Sequence, residues 1–258
     1  MKVVILCGGR GTRLKEETEF KPKPLVEIGD RPILWHIMKI YAHYGFSDFI
    51  LCLGYKGDMI KEYFLNYEAM SNDFTVHLGS HNRIDFHSKH TEHGWKVTLA
   101  DTGEEAQTGA RIKKIEKYLD REPFMVTYGD GVADINMKKL LDFHRGHGLI
   151  GTVTGVHPSS RFGELVVTDN NVVDFNEKPQ VKRGLINGGF FVFEKEFLNY
   201  LSEDNGCYLE REPLERLTSE EKLMAYVHDG FWQSVDTYRE LELLNASWRS
   251  ANPPWKVW

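Results

Sequence analysis

The sequence predicts an α/β, Rossmann-like fold: a mixed, mostly parallel sheet with flanking helices and inserted β-hairpins. Three observations carry this. Strand and helix periods alternate through the first hundred residues, and a β-α-β-α order implies parallel strands joined by right-handed crossovers. The first apolar run leaves through glycines, "LCGGRGTRL". Farther on, "FGELVVTDNNVVDFNEKP" has the alternation of a hairpin, with Asn170 and Asn171 at its turn.

Taken in order, residues 2–7 read as a fully buried strand. "ILWHIMKIYAHY" (33–44) has apolar residues at helical spacing, and Pro32 stands where a helix can begin. Residues 46–53 read as a strand and 57–67 as a helix. The segment 74–90 alternates apolar and polar residues and is rich in histidine and arginine. His77, His81, His87, His90 and His93 lack a clean ligand spacing, so an exposed polar insertion is expected there. A strand over 95–100, a helix over 110–119 and a strand over 124–128 follow, the last ending in Gly129-Asp130-Gly131. Residues 137–147 read as a helix, 150–156 as a strand, and "LINGGFFVF" as a strand with a glycine break. The last fifty residues read as mostly helical, up to the tail "NPPWKVW", a candidate self-association surface because exposed Trp usually marks a contact.

The chain has 258 residues, 41% hydrophobic and 27% charged, the composition of a globular protein with a sizeable core. One domain over residues 1–258 is the simplest account, since no linker or repeat interrupts it. The net charge of −6 gives no footprint for nucleic acid. No apolar run approaches the roughly 20 residues a membrane span needs. Cys7, Cys52 and Cys207 are far apart and form no CxxC pair, so neither disulfides nor zinc are expected and a reducing cytoplasm fits.

The opening loop carries the clearest chemistry. A glycine turn at the carboxyl end of a parallel strand bares backbone N–H groups where α/β sheets bind ligands, and such groups cradle phosphate oxygens. Arg13 and Lys23 add positive charge. The pattern matches neither G-x-G-x-x-G nor the P-loop. A polyphosphate reaction also calls for a cation, and magnesium takes one or two carboxylates plus phosphate oxygens. Asp130, after the 124–128 strand, and Asp236, in "GFWQSVDTYREL", are the candidates. Asp134 competes, but reads as the cap of the following helix. Glu177 and Lys178, by themselves, read as a surface pair.

GG-x-G-T-R-L followed by K-P-K-P resembles the signature of the sugar-phosphate nucleotidyltransferases. The resemblance runs nearly end to end and lies nearer the cytidylyl branch than the uridylyl or thymidylyl ones. It implies the nucleotide-diphospho-sugar transferase fold. It also implies a nucleotide site from Leu6, Cys7, Gly8, Gly9, Arg10, Gly11, Thr12 and Gly129, with Thr102, Gly109 and Arg111 bordering it and Arg111 meeting base or phosphate. Arg13 and Lys23 would be catalytic, Arg13 at the leaving pyrophosphate and Lys23 at the phosphates. Asp130 and Asp236 would share Mg2+. Gly163, Glu177, Lys178 and Asn187 would bind the sugar phosphate, and residues 53–58 would read the base. The implied partners are CTP, a hexose 1-phosphate and further copies of the chain. Residue spacing alone does not separate cytosine from uracil.

Overall fold

The computed structural model describes the chain except residues 80–82, 88–89, 159–163, 169–170, 177–183 and 251. Its amino-terminal part runs β1 (Lys2–Leu6), α1 (Lys15–Thr18), β2 (Glu27–Ile28), β3 (Arg31–Pro32), α2 (Ile33–His43), β4 (Asp48–Leu53), α3 (Gly57–Leu65) and α4 (Tyr67–Ser71). Next come β5 (Phe74–His77), β6 (Arg83–Phe86), β7 (Lys96–Asp101), α5 (Thr108–Lys114), β8 (Phe124–Tyr128), β9 (Gly131–Ala133) and α6 (Met137–His147). The remainder is β10 (Gly151–Val156), β11 (Glu164–Thr168), β12 (Asn171–Asn176), β13 (Ile186–Phe193), α7 (Glu212–Ser219), β14 (Leu223–His228), β15 (Trp232–Ser234) and α8 (Tyr238–Trp248).

Seven strands form one sheet in the order β14-β10-β13-β8-β1-β4-β7. β1 pairs in parallel with β4 and β8, and β10 with β14. Only β13 runs against its neighbours, β8 and β10. β1 shows why the sheet is central: Val3 and Ile5 enter one buried cluster, while Val4 and Leu6 enter the other. Successive side chains point to opposite faces, and each such burial contributes about 1.5–3 kcal/mol. Helix α2 turns Ile33, Leu34, Ile37, Met38, Ile40 and Tyr41 onto the first cluster. Gly189 (φ +79°) supplies the glycine break in β13, where the ladder with β10 shifts register.

Several expectations change. The helix over 57–67 divides at Asn66 into α3 and α4. The helix over 110–119 starts earlier, at Thr108, and gives way to a 3-10 turn over Glu116–Tyr118. Asn171 already pairs with Thr168 and so opens β12. The last fifty residues are not mostly helical, because they contribute β14 and β15. Asp134 is not the cap of α6: Asn136 accepts from the N–H groups of Lys138 and Lys139, and Asp134 instead meets His228 Nε2 at 2.8 Å. The aromatic tail folds onto its own chain. Trp255 is fully buried and stacks on Phe231 and Trp248.

His36 is buried beneath that tail. Its Nε2 donates to Ile28 O (3.0 Å), leaving Nδ1 to accept from Trp255 Nε1 (3.4 Å), the pattern of a neutral ring. Burial depresses its pKa to about 4. His144, buried beside Thr152, is held down to about 4 as well, by burial and then by His147 and Arg145. An unfolded histidine titrates near 6.5. Above that pH neither state binds the proton. As pH falls from about 6.5 towards 4 the unfolded chain takes protons that the fold refuses, and stability drops. Unfolding free energy should therefore fall between about pH 6.5 and 5, and His36→Gln should reduce that slope. Denaturant melts with equal stability at both ends of the window would refute this.

Candidate active site

The central strands end at one edge of the sheet. β1 passes into Gly8, Gly9 and Gly11, β8 into Gly129 and Asp130, and β4 into Gly54. The chain builds outward from β1 to β4 and β7, then returns to place β8 on its other side. That is a topological switch point, where carboxyl strand ends leave a crevice. Leu6, Cys7, Gly8, Gly9, Gly11 and Thr12 line this crevice together with Arg13, Lys23, Arg111 and Gly129.

Lys23, in the 3-10 turn Lys23–Leu25, is almost buried and reaches the crevice floor. Its Nζ lies 2.7 Å from Asp130 Oδ2 and 2.7 Å from Asp236 Oδ1. Burial alone pulls its pKa down, but the charges and hydrogen bonds of the two carboxylates outweigh this and raise it. Arg13 Nη1 approaches Asp236 Oδ2 at 2.7 Å while most of its side chain faces solvent. Asp236 is not a helix cap. Thr237 caps α8 in a capping box with Glu240, whose carboxylate also accepts from Asp236 N–H. The side chain of Asp236 is thereby free to meet Lys23 and Arg13. Two lysine- and arginine-bound carboxylates converge here, and among the described residues no group of three or more His, Cys, Asp or Glu does so. This donor set suits a hard cation that draws its other ligands from water and phosphate.

Arg111 lines the crevice and is bonded to the protein around it. Its side chain is buried and both terminal nitrogens are committed to the protein. Nη1 donates to Leu53 O (2.9 Å), Thr102 Oγ1 (2.7 Å) and Gly103 O (2.8 Å), and Nη2 to Gly8 O (3.0 Å) and Glu104 O (3.1 Å). It ties the glycine loop to the loop after β7 through carbonyls and the Thr102 hydroxyl. Gly8 lets this happen, since a Cβ there would sit 2.1 Å from Arg111 Nη1. Thr102 is buried behind the crevice wall, its hydroxyl donating to Leu53 O. Gly109 also lies behind the wall, where a Cβ would meet Cys207 Sγ at 2.8 Å. Arg10 points away and pairs with Glu104 and Glu105. Thus Thr102, Gly109 and Arg10 do not line the crevice, although the other predicted nucleotide-site residues do.

A second pocket adjoins the first and shares Arg13, Tyr128 and Asp130 with it. Asn187 lies in it, with Oδ1 accepting from Gly189 N–H (2.8 Å) and Nδ2 donating to Tyr128 OH (3.3 Å). Gly163, Glu177 and Lys178 lie outside the described residues. Sequence reasoning missed Tyr128, Glu210 and Trp232, which all line this pocket. Tyr128 was legible in principle as the residue just before Gly129-Asp130. Glu210 had no local signal.

Comparison with known proteins agrees with this geometry. The family model described as Nucleotidyl transferase matches residues 2–248. The chain is 49% identical over 259 residues to the glucose-1-phosphate cytidylyltransferases of Salmonella typhimurium and Salmonella typhi, covering 100% of each. Among solved structures, HddC from Yersinia pseudotuberculosis superposes with a TM-score of 0.69 over 96% of this chain and 99% of that one, at 24% identity. The fold, the crevice at the switch point and the full-length match agree, and the chain belongs to the nucleotidyl transferase family.

Proposed function

We propose that the chain transfers the cytidylyl group of CTP to α-D-glucose 1-phosphate, releasing pyrophosphate and forming CDP-glucose. The observation that carries the reaction type is the ion cluster of Arg13, Lys23, Asp130 and Asp236 at the junction of two pockets. The choice of substrates rests on full-length similarity to enzymes named for them.

In this reading the triphosphate lies along the Gly8–Gly9–Gly11 loop and the sugar phosphate lies beside Asn187. An oxygen of the sugar phosphate forms a bond to the α-phosphorus. The bond from that phosphorus to the bridging oxygen breaks, and pyrophosphate leaves with the electron pair. A phosphate's second pKa is about 6, so the nucleophile is already ionised and needs no strong base. Alignment and charge neutralisation then supply most of the acceleration. Lys23 keeps the reacting phosphates in line, and Arg13 meets charge on the departing pyrophosphate. Asp130 and Asp236 would hold Mg2+, which supplies positive charge to the phosphate oxygens.

The reading is tested by pyrophosphate release with glucose 1-phosphate and magnesium, comparing CTP, UTP, dTTP and ATP. Release with CTP alone is expected. Release with another triphosphate would retain the reaction and overturn the base assignment. Silence with all four would overturn the substrate pair.

We propose further that the chain acts as one cytoplasmic domain and self-associates. Among the described residues no helix is long and apolar enough to cross a membrane. Support for self-association comes from the β5–β6 hairpin. Phe74 faces Phe86 and Val76 faces Ile84 across it, and all four are exposed. A two-stranded hairpin is marginal by itself, so a covering partner suits this face. A light-scattering mass equal to one chain would remove this part of the reading.

A further inference from the structure

Glu210 sits in the segment before α7, far in sequence from Thr108 and Tyr128. Its carboxylate closes a hydrogen-bonded bridge across the wall between the two pockets. Oε1 accepts from Tyr128 OH at 2.6 Å and Oε2 accepts from Thr108 Oγ1 at 2.6 Å. Thr108 lines the first pocket, Glu210 the second, and Tyr128 both. The bridge is fastened at each end. Leu209 N–H donates to Thr108 Oγ1 at 2.9 Å, and Asn187 Nδ2 reaches Tyr128 OH at 3.3 Å. Tyr128 is locked in place from behind, because a Cβ on Gly189 would lie 2.4 Å from its ring.

We infer that Glu210 is a specificity-determining residue of the second pocket, held by Tyr128 and Thr108 so that its remaining lone pairs accept from a hydroxyl of the sugar phosphate. This rests on the proposed reaction. An ionised carboxylate has about four acceptor sites, and the two hydroxyl donors use two of them. Glu210 is exposed to the pocket, so the remaining sites face the space beside Asn187 and Asp130. Freezing a glutamate normally costs rotamer entropy. Here the two short bonds fix the side chain before any ligand arrives, which is the condition for a selective polar contact. Tyr128 is a dependable donor in this bridge: burial, then the charge of Glu210, drives its pKa upward, so it keeps its proton at working pH.

The test pairs enzyme and substrate changes. Wild type, Glu210→Gln and Tyr128→Phe are assayed for pyrophosphate release with CTP and glucose 1-phosphate, then with the 2-, 3-, 4- and 6-deoxy analogues. Glu210→Gln should raise the KM for glucose 1-phosphate about tenfold or more, the scale of one hydrogen bond to a charged group. The KM for CTP should stay within about twofold, and one deoxy analogue should be used equally by both proteins. Tyr128→Phe keeps the carboxylate but frees it, so the same KM should rise by a smaller factor. A uniform loss on every analogue, a parallel rise in the KM for CTP, or an unchanged Glu210→Gln would each overturn the assignment while the proposed reaction stands. Wild type silent with every triphosphate would sink both.

Discussion

Replacing Asp236 with Asn should lower turnover at least about a hundredfold, within the range for removing one well-placed electrostatic group. Asp236 is the residue shared by both cations of the site, 2.7 Å from Lys23 Nζ and 2.7 Å from Arg13 Nη1. The amide keeps the shape and one acceptor but loses the charge. Lys23 would then rest on Asp130 alone, and Arg13, already mostly solvent-facing, would lose its anchor. The backbone should be unaffected, because Thr237 and Glu240 cap α8 independently. The raised pKa of Lys23 gives the sign of the pH effect. Its pairing contributes fully below the ordinary lysine value near 10.4 and is lost only as pH rises through the folded value. Neutral pH is therefore the right place to measure kcat. A variant with near-normal kcat at saturating magnesium would refute the role given to this carboxylate.

Arg111→Met should be the most destabilising of the single changes considered, by about 2–4 kcal/mol, since a hydrogen bond to a charged group is worth about 1.5–3 kcal/mol and several are lost together. The apolar side chain fills much of the volume but takes a donor from the carbonyls of Gly103 and Glu104, while Leu53 O keeps Thr102 and Gly8 O keeps the Tyr55 N–H. A loss of this size lowers the melting midpoint of a chain of this length by roughly 10 °C. Gly8→Ala should act on the same contact from the other side, pushing the guanidinium from its seat. Calorimetry of the two variants and their double mutant checks this. A midpoint for Arg111→Met within about a degree of wild type would show that the tether carries no weight.

The parallel half of the fold was legible because its signals are local. β1, β4 and β8 are short apolar runs, and α2 and α6 carry clean helical periods with recognisable starts. β14 was not legible: it is a sheet-edge strand whose residues are all partly or fully exposed, so it lacks the apolar run of a buried strand. In the site, glycines and charges announced the crevice, and the structure gathers Arg13, Lys23, Asp130 and Asp236 as the pattern predicted. Arg111 lines the crevice as expected, but its tether was not legible. A sequence shows that a guanidinium exists, but not where its hydrogen bonds are spent. Glu210 was invisible because its partners, Thr108 and Tyr128, lie 102 and 82 positions away.

Lys23 and Asp236 are 213 positions apart, yet they share one hydrogen bond at the centre of the site. Chains are made from the amino end, and contacts of long sequence separation form late because a large loop must close first. The glycine loop, Lys23 and Asp130 thus exist before their last partner has been synthesised. A growing chain stopped ahead of β15 would carry the glycine loop, Lys23 and Asp130 but lack Asp236, the second carboxylate of the proposed site. Activity should therefore return after the sheet has formed in a refolding experiment, and the finished enzyme reports on its own completeness.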